Sequence, residues 1–406
     1  MHKQFDLEKF ITTYVTKRQD SLLAPDFQKY NSELQNRING RKVLVIGGAG
    51  TIGSSYIKAI LKFNIAKLVV VDTNENGLTE LVRDLRSSTE YNIPDDFITY
   101  PVNFGDRVFD KIFRHHGPFE IVANFAAHKH VRSEKDVFSI EAMVENNVLR
   151  ARKLLELLLE FPPEHFFCVS TDKAANPVNI MGASKKLMEE LIMAYADRLP
   201  IKTARFANVA FSNGSLPIGF IDRLNKRQPW SCPLGIRRFF VSPQESGELC
   251  LMASIMGESG DIFYPKLDEE RDMIPFDTMA LDLLKELGLK ADICTTDEEA
   301  RRKALELGDN PTSWPVYFFG SDTDGEKSFE EFFTDEEVKD EASFVNLGVV
   351  KNSRKRNLAE IDAIFGQLHD LFESKEVTKE QIVAILHAYL PNFAHIGTGK
   401  GLDSKM

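Results

Sequence analysis

Between Lys42 and Phe206, short apolar runs alternate with longer stretches whose apolar residues recur at helical spacing. The runs are Val43–Ile46, Leu68–Val71, Phe97–Val102, Ile121–Asn124, Phe166–Val169 and Thr203–Phe206. Runs this short and this apolar predict strands buried on both faces, and the helical stretches between them predict a parallel sheet covered on both sides. Residues 1–40 read as an amphipathic helical arm, with Phe5, Phe10, Ile11 and Tyr14 at helix-like spacing. Beyond about residue 210, Pro217, Pro229, Pro233, Pro243 and Pro265 cut the chain into shorter pieces. This predicts a smaller mixed lobe over 211–350, from which some strands return to the main sheet. Its stretch from Glu258 to Glu341 is acidic and loop-rich, which predicts a solvated surface. Over 351–406 helical periodicity returns: Leu358, Ile361, Ile364 and Phe365 share one face, as do Ile382, Ile385 and Leu386 after a candidate cap at Thr378.

Composition narrows the class. The chain of 406 residues carries 50 Lys and Arg against 61 Asp and Glu, a net charge of −11. A balance this acidic argues against bulk binding of nucleic acid or an anionic membrane, and leaves room only for a local basic pocket. Cys168, Cys232, Cys250 and Cys294 are far apart and lack metal-ligand spacing, so neither disulfides nor a metal centre is expected, in keeping with a reduced cytoplasmic protein. No apolar run reaches the length of a membrane span, and the polar start Met1-His2-Lys3-Gln4 does not read as a signal peptide.

The chemistry is concentrated at predicted strand ends. Gly47-Gly48-Ala49-Gly50-Thr51-Ile52-Gly53 follows the first strand and opens a helix. In that context a glycine-rich turn lets the backbone approach a pyrophosphate at a helix N-terminus. Asp72, at the end of the second strand, can accept hydrogen bonds from ribose hydroxyls and would repel a 2′-phosphate. Thr73-Asn74-Glu75-Asn76 contains no arginine to favour the phosphorylated cofactor, so NAD is expected. Asn103-Phe104 should border the adenine. The fold expected for residues 41–210 is therefore a Rossmann-type, doubly wound α/β sheet.

Ser170-Thr171-Asp172-Lys173 leaves the fifth strand at the carboxyl edge, where ligands of open α/β sheets bind. Met181 and Lys185 are one helical turn apart and share a face. Lys185 can thus reach the nicotinamide ribose. Met181, a thioether, stands where a tyrosine four residues before the lysine would take a proton.

These residues, with Ala126-Ala127-His128-Lys129-His130-Val131 and Asn176-Pro177, resemble the extended short-chain dehydrogenases/reductases. Within them the chain is similar to the polysaccharide-biosynthesis branch, the UDP-N-acetylglucosamine 4,6-dehydratases, in the subgroup with Met for Tyr. The likeness continues through Arg205-Phe206-Ala207-Asn208-Val209, Arg238-Phe239-Phe240 and Gly325-Glu326-Lys327. It implies that NAD takes a hydride from sugar carbon 4, water leaves across carbons 5 and 6, and the hydride returns to carbon 6. On that reading Thr171 orients the carbon 4 hydroxyl, and Asp172 takes its proton and later protonates the leaving hydroxide. Lys173 removes the carbon 5 proton, its ammonium made less stable by burial and by Lys185. Met181 fills space, and the configuration at carbon 5 is retained.

The cofactor set implied is Gly47, Gly50, Thr51, Ile52, Gly53, Asp72, Asn74, Asn103, Phe104, Ala126 and Lys185. The substrate set is Lys129, His130, Asn208, Arg238 and Glu326. Thr323-Asp324 in place of Arg-Pro, and Ala207 in place of Gly, depart from the pattern and leave UDP or GDP open, with UDP preferred. The resemblance also implies a homo-oligomer, to which the arm can contribute. Two other readings stand beside the dehydratase: a nucleotide-sugar epimerase, which has no need of an adjacent Asp172 and Lys173, and a non-catalytic NAD-binding regulator.

Overall fold

A computed structural model describes residues 5–130, 134–320, 330–351, 353 and 356–395. Its strands, in chain order, are β1 (Lys42–Ile46), β2 (Lys67–Asp72), β3 (Asp96–Pro101), β4 (Ile121–Asn124), β5 (His165–Val169), β6 (Ile201–Ala204), β7 (Asn208–Val209) and β8 (Trp230–Pro233). There follow β9 (Arg237–Val241), β10 (Asp261–Pro265), β11 (Met273–Pro275), β12 (Lys290–Cys294), β13 (Ser313–Phe319), β14 (Lys339–Asp340) and β15 (Leu347–Val350). The main sheet has the order β14-β15-β10-β6-β5-β4-β1-β2-β3. From β3 to β10 every pairing is parallel, and β15 and β14 close the far edge antiparallel. β1, β4 and β5 are buried almost throughout, as strands covered on both faces must be.

Strands β10, β14 and β15 come from beyond residue 210 and complete the main sheet, so the two parts of the chain are interleaved. The smaller lobe has its own sheets, β11-β9-β7 and β12-β13-β8, and a core that includes Phe220, Trp230, Phe240 and Trp314. The acidic stretch is more ordered than its composition suggests. Asp297, Glu298 and Glu299 form the first turn of helix Asp297–Leu305, capped by Thr296, where acidic groups complement free backbone N–H groups. The charge run lies at the surface, with Glu298 exposed, and is also a helix start.

Both terminal segments pack on this chain. Phe10, Ile11 and Val15 enter the core of the smaller lobe, whereas Leu23, Leu34 and Ile38 join the layer beneath the main sheet. Between them Arg18 donates to Glu245, Asp272 and the Phe240 carbonyl. At the other end, helices Leu358–Phe372 and Lys379–Tyr389 start at capping boxes on Asn357 and Thr378. Their apolar faces join the core with helix Ile180–Ala194, whose residues 187–193 are all buried.

A buried guanidinium fixes the carboxyl edge. Arg205, just past β6 and fully enclosed, donates to Glu189 of helix Ile180–Ala194, to Glu337 and to the Phe332 carbonyl. Ser170 also donates to Glu189, at 2.9 Å. Arg205 and Lys186 together outweigh burial and hold the Glu189 carboxyl down at about 2. Arg205→Ala leaves Glu189 charged without its main partner, a change that costs about 3–5 kcal/mol for a broken buried pair. Urea denaturation should show this loss; a change below about 1 kcal/mol would assign the network no structural weight.

Candidate active site

β1 passes into helix Thr51–Ile60 through a turn that only glycine fits at two points. Gly47 has φ +77°, and a Cβ there would lie 2.6 Å from the Ala126 nitrogen. A Cβ on Gly53 would lie 2.2 Å from the Gly47 carbonyl oxygen. Asp72 pins this turn: one carboxylate oxygen accepts from the Ala49 N–H and the other from the Asn74 N–H, both at 2.9 Å. Beside it opens a cleft of about 300 Å³ whose lining includes Gly47, Gly50, Asp72, Asn103, Phe104 and Ala126. The glycine cradle, the helix N-terminus and the carboxylate at the end of β2 fit a dinucleotide.

Other expected cofactor residues stand behind the turn. Thr51 accepts from the Asn213 N–H at 3.0 Å, which ties the turn to the smaller lobe. Ile52 packs on the core, and Gly53 permits the close contact just described. Asn74 caps helix Glu75–Ser87 by accepting from the Gly77 N–H at 3.0 Å. The cleft also contains His128, Asn146 and Arg150, which sequence reasoning missed. Arg150 reaches it from a helix distant in sequence, its side chain lying where a Cβ on Gly105 would be.

Thr171, Asp172 and Lys173 occupy the turn after β5. Thr171 Oγ1 donates to Asp172 Oδ1 at 2.7 Å, and Lys173 Nζ lies 3.2 and 3.3 Å from the two carboxylate oxygens. Asp172 is buried, while Lys173 keeps 35% of its side chain exposed. Met181 is buried in the first turn of its helix, and its N–H donates to the buried Glu134 at 2.8 Å. Lys185 Nζ donates to the Val169 carbonyl at 2.8 Å, and burial lowers its affinity for a proton. The immediate partner of Lys173 is thus the Asp172 carboxylate, where the sequence pointed to Lys185. Asn147 holds this helix to the cofactor side, donating to Ser184 Oγ and the His128 carbonyl and accepting from the His128 N–H.

Lys129 is exposed, and His130 packs against Gly214 of the smaller lobe. Glu326 lies outside the described residues. Asn208 and Arg238 meet at a carboxyl that sequence reasoning did not single out. Glu330 accepts from Asn208 Nδ2 and from the Phe239 N–H, and Arg238 Nε is 3.8 Å away. It is buried, and burial together with the neighbouring Asp172 pushes it up to about 7. Its position four residues after Glu326, in Glu326-Lys327-Ser328-Phe329-Glu330, is the only sequence signal that marks it.

A family model described as "Polysaccharide biosynthesis protein" matches residues 43–352. Among curated relatives, "Uncharacterized membrane protein MJ1061" of Methanocaldococcus jannaschii is 31% identical over 75% of this chain and 84% of its own length. "Probable polysaccharide biosynthesis protein EpsC" of Bacillus subtilis is 29% identical over 79% of this chain, which spans about half of that relative at 49%. An inverting UDP-N-acetylglucosamine 4,6-dehydratase of Campylobacter jejuni is 26% identical, covering 56% of this chain and 68% of the relative. A UDP-glucose 4-epimerase of Rickettsia bellii is 29% identical, covering 56% and 66%. The fold is shared with Pen from Bacillus thuringiensis, with a TM-score of 0.62, 21% identity and coverage of 79% of this chain and 91% of that one. It is shared too with DesIV from Streptomyces venezuelae, a dTDP-glucose 4,6-dehydratase solved with NAD bound, with a TM-score of 0.53, 17% identity and coverage of 72% and 88%.

Asp72→Asn removes the charge that would meet the ribose hydroxyls. Isothermal titration of cofactor-free protein should show NAD binding weaker by about ten- to a hundredfold, the worth of a charge-assisted hydrogen bond. An affinity within about threefold of the parent would take Asp72 out of the cofactor site.

Proposed function

The chain belongs to the polysaccharide biosynthesis protein family, and we propose that it uses NAD to dehydrate a nucleotide-linked N-acetylhexosamine to its 4-keto-6-deoxy form. UDP-N-acetylglucosamine is the preferred substrate. The observation that supports this reading best is the buried Asp172 hydrogen-bonded to both Thr171 and Lys173 at the carboxyl edge of the sheet. That turn offers an acid–base pair for two neighbouring carbons.

Bound NAD supplies the hydride acceptance and return that begin and end the cycle. The rest falls to the chain's own side chains. Thr171 orients the carbon 4 hydroxyl, and Asp172 takes its proton. The resulting ketone acidifies carbon 5, whose proton passes to Lys173. Asp172 then gives its proton to the hydroxide leaving carbon 6, so one water is lost. Lys173 returns its proton to the face of carbon 5 from which it came, which retains the configuration there. Met181 carries no transferable proton and acts as a spacer. Lys185, anchored on the Val169 carbonyl, holds the nicotinamide ribose. Lys129, His130, Asn208 and Arg238 serve the sugar and diphosphate.

The epimerase reading keeps its place because 4-epimerases stand among the relatives at similar identity. Oxidation and re-reduction at carbon 4 alone leaves Lys173 without a task. Incubation of the purified protein with UDP-N-acetylglucosamine, followed by mass spectrometry, separates the two. The dehydratase produces a species lighter by one water; an unchanged mass with an inverted carbon 4 establishes the epimerase. Asp172→Asn and Lys173→Ala should each slow dehydration about 100- to 10,000-fold, the usual worth of a general acid or base. Met181→Leu should stay within about fivefold of the parent, as a volume-conserving swap does.

A further inference from the structure

Arg150 carries no task in the steps above, yet its side chain is built into the wall of the cofactor cleft. The cleft is lined by Asp72, Asn103 and Phe104, and also by Glu145, Asn146 and Arg150, whereas Thr171, Met181 and Lys185 stand outside its lining. It therefore belongs to the adenosine end of a dinucleotide and not to the nicotinamide end. Residues five apart lie about 140° apart around an α-helix and do not meet. Here the segment Glu145–Leu149 is wound as a wider π turn, in which the Arg150 N–H donates to the Glu145 carbonyl. The widened turn stacks the two side chains, and Arg150 Nη2 donates to Glu145 Oε1 at 3.0 Å. Such turns are frequent at functional sites. The same side chain is pinned at its stem. It crosses the turn after β3 where residue 105 has no side chain: a Cβ on Gly105 would lie 2.6 Å from Arg150 Cδ and 2.9 Å from its Nε. That turn is itself held, since the Gly105 N–H donates to Asn103 Oδ1 at 2.8 Å and Lys153 donates to the Gly105 carbonyl at 2.7 Å.

We propose that Arg150 grips the adenine base of NAD, its guanidinium plane lying against the ring. Glu145 already balances its charge, and Asp72 adds a second carboxylate to the same cleft, so the guanidinium is not placed to meet a further anionic phosphate. It suits a neutral heteroaromatic ring, because a guanidinium stacks on aromatic faces and, being weakly hydrated, costs little to cover. Glu145 Oε1 is the one hydrogen-bond acceptor of this guanidinium among the described residues, and 28% of the Arg150 side chain is exposed, which leaves its face for an occupant. Apolar Val102, Phe104 and Ala142 share the lining, as a pocket for a flat ring requires. Arg150 is thus a specificity-determining residue for the base, and Gly105 is its seat.

An Arg150–adenine contact requires that the cleft hold NAD, the cofactor on which the proposed function rests, and titration separates the two. Isothermal titration of the cofactor-free full chain is run with NAD, with ADP-ribose and with nicotinamide cytosine dinucleotide, which keeps both riboses and the diphosphate but replaces the purine by a smaller ring. Arg150→Ala should weaken NAD and ADP-ribose alike, by about five- to thirtyfold, the range of a partly desolvated cation–π contact. The cytosine dinucleotide should lose less than about threefold. An NAD affinity within about twofold of the parent overturns the assignment. So does an equal loss on both dinucleotides, which would make Arg150 a ribose or phosphate contact or a packing element. A loss on NAD that ADP-ribose does not share also overturns it, because the guanidinium would then act at the nicotinamide end. Gly105→Ala gives an independent reading. It should weaken NAD by displacing the Arg150 stem, and cost less than about twofold more when added to Arg150→Ala. Equal losses in the two backgrounds overturn the seating. A parent chain that takes up neither NAD nor ADP-ribose overturns the cofactor reading itself, and the role of Arg150 with it.

Discussion

The carboxyl edge of this molecule is organised around the buried pair of Arg205 and Glu189. A guanidinium with no exposure is tolerable only when its donors are matched, and here they are met by two carboxylates and a backbone carbonyl. Each acceptor belongs to a part of the chain that must be held still. Glu189 is on the helix that presents Met181 and Lys185, and it also takes the hydroxyl of Ser170, immediately before Thr171, Asp172 and Lys173. Phe332 and Glu337 lie within the segment that follows Glu330. One charged side chain thus ties the end of β6, the helix of the site and the strand-connecting segment together. Glu189 supports this from its unfolded ionisation range upward in pH, and the support is lost as pH falls toward about 2, where it protonates in the fold.

Around that point the two parts of the chain are locked by interleaving. β10, β14 and β15 carry the smaller lobe back into the main sheet, and the Arg18 contacts clip the N-terminal arm across it. A close helix contact adds to this: a Cβ on Gly247 would lie 2.2 Å from the Ser55 carbonyl oxygen, so helix Pro243–Met256 rests directly on the helix that opens at the glycine turn. The C-terminal hairpin reaches the same region. Ala394 N–H donates to the Pro177 carbonyl at 3.1 Å, and Arg356 pairs with Glu190. The glycine turn and the turn that carries Asp172 are therefore parts of one packed body.

Much of this was legible in the residues. The six apolar runs correspond to β1–β6 with ends displaced by no more than two residues; strands such as β1, β4 and β5 are apolar because both faces are covered, whereas β3, expected to be buried likewise, is the edge strand and only partly buried. The glycine turn was legible for a similar reason: it obeys a local steric rule, and Gly47 and Gly53 have no room for a side chain. The acidic run at Asp297 lies at the surface as its composition suggests, but its helix was not legible, because a helix's first turn and a solvated loop share the same composition.

What the sequence determined by itself was the class of fold, the glycine cradle, and the presence of Asp172, Lys173 and Lys185 at one sheet edge, since all of these follow from spacing along a strand or a helical turn. What only the tertiary structure decided was which charges face one another. Lys173 turned to Asp172, Lys185 to a backbone carbonyl, and Asn208 with Arg238 to Glu330, a residue from a distant segment. Local periodicity places a side chain on a face. Its electrostatic partners depend on long-range packing, which brings together segments whose separation in the chain carries no sign of their contact.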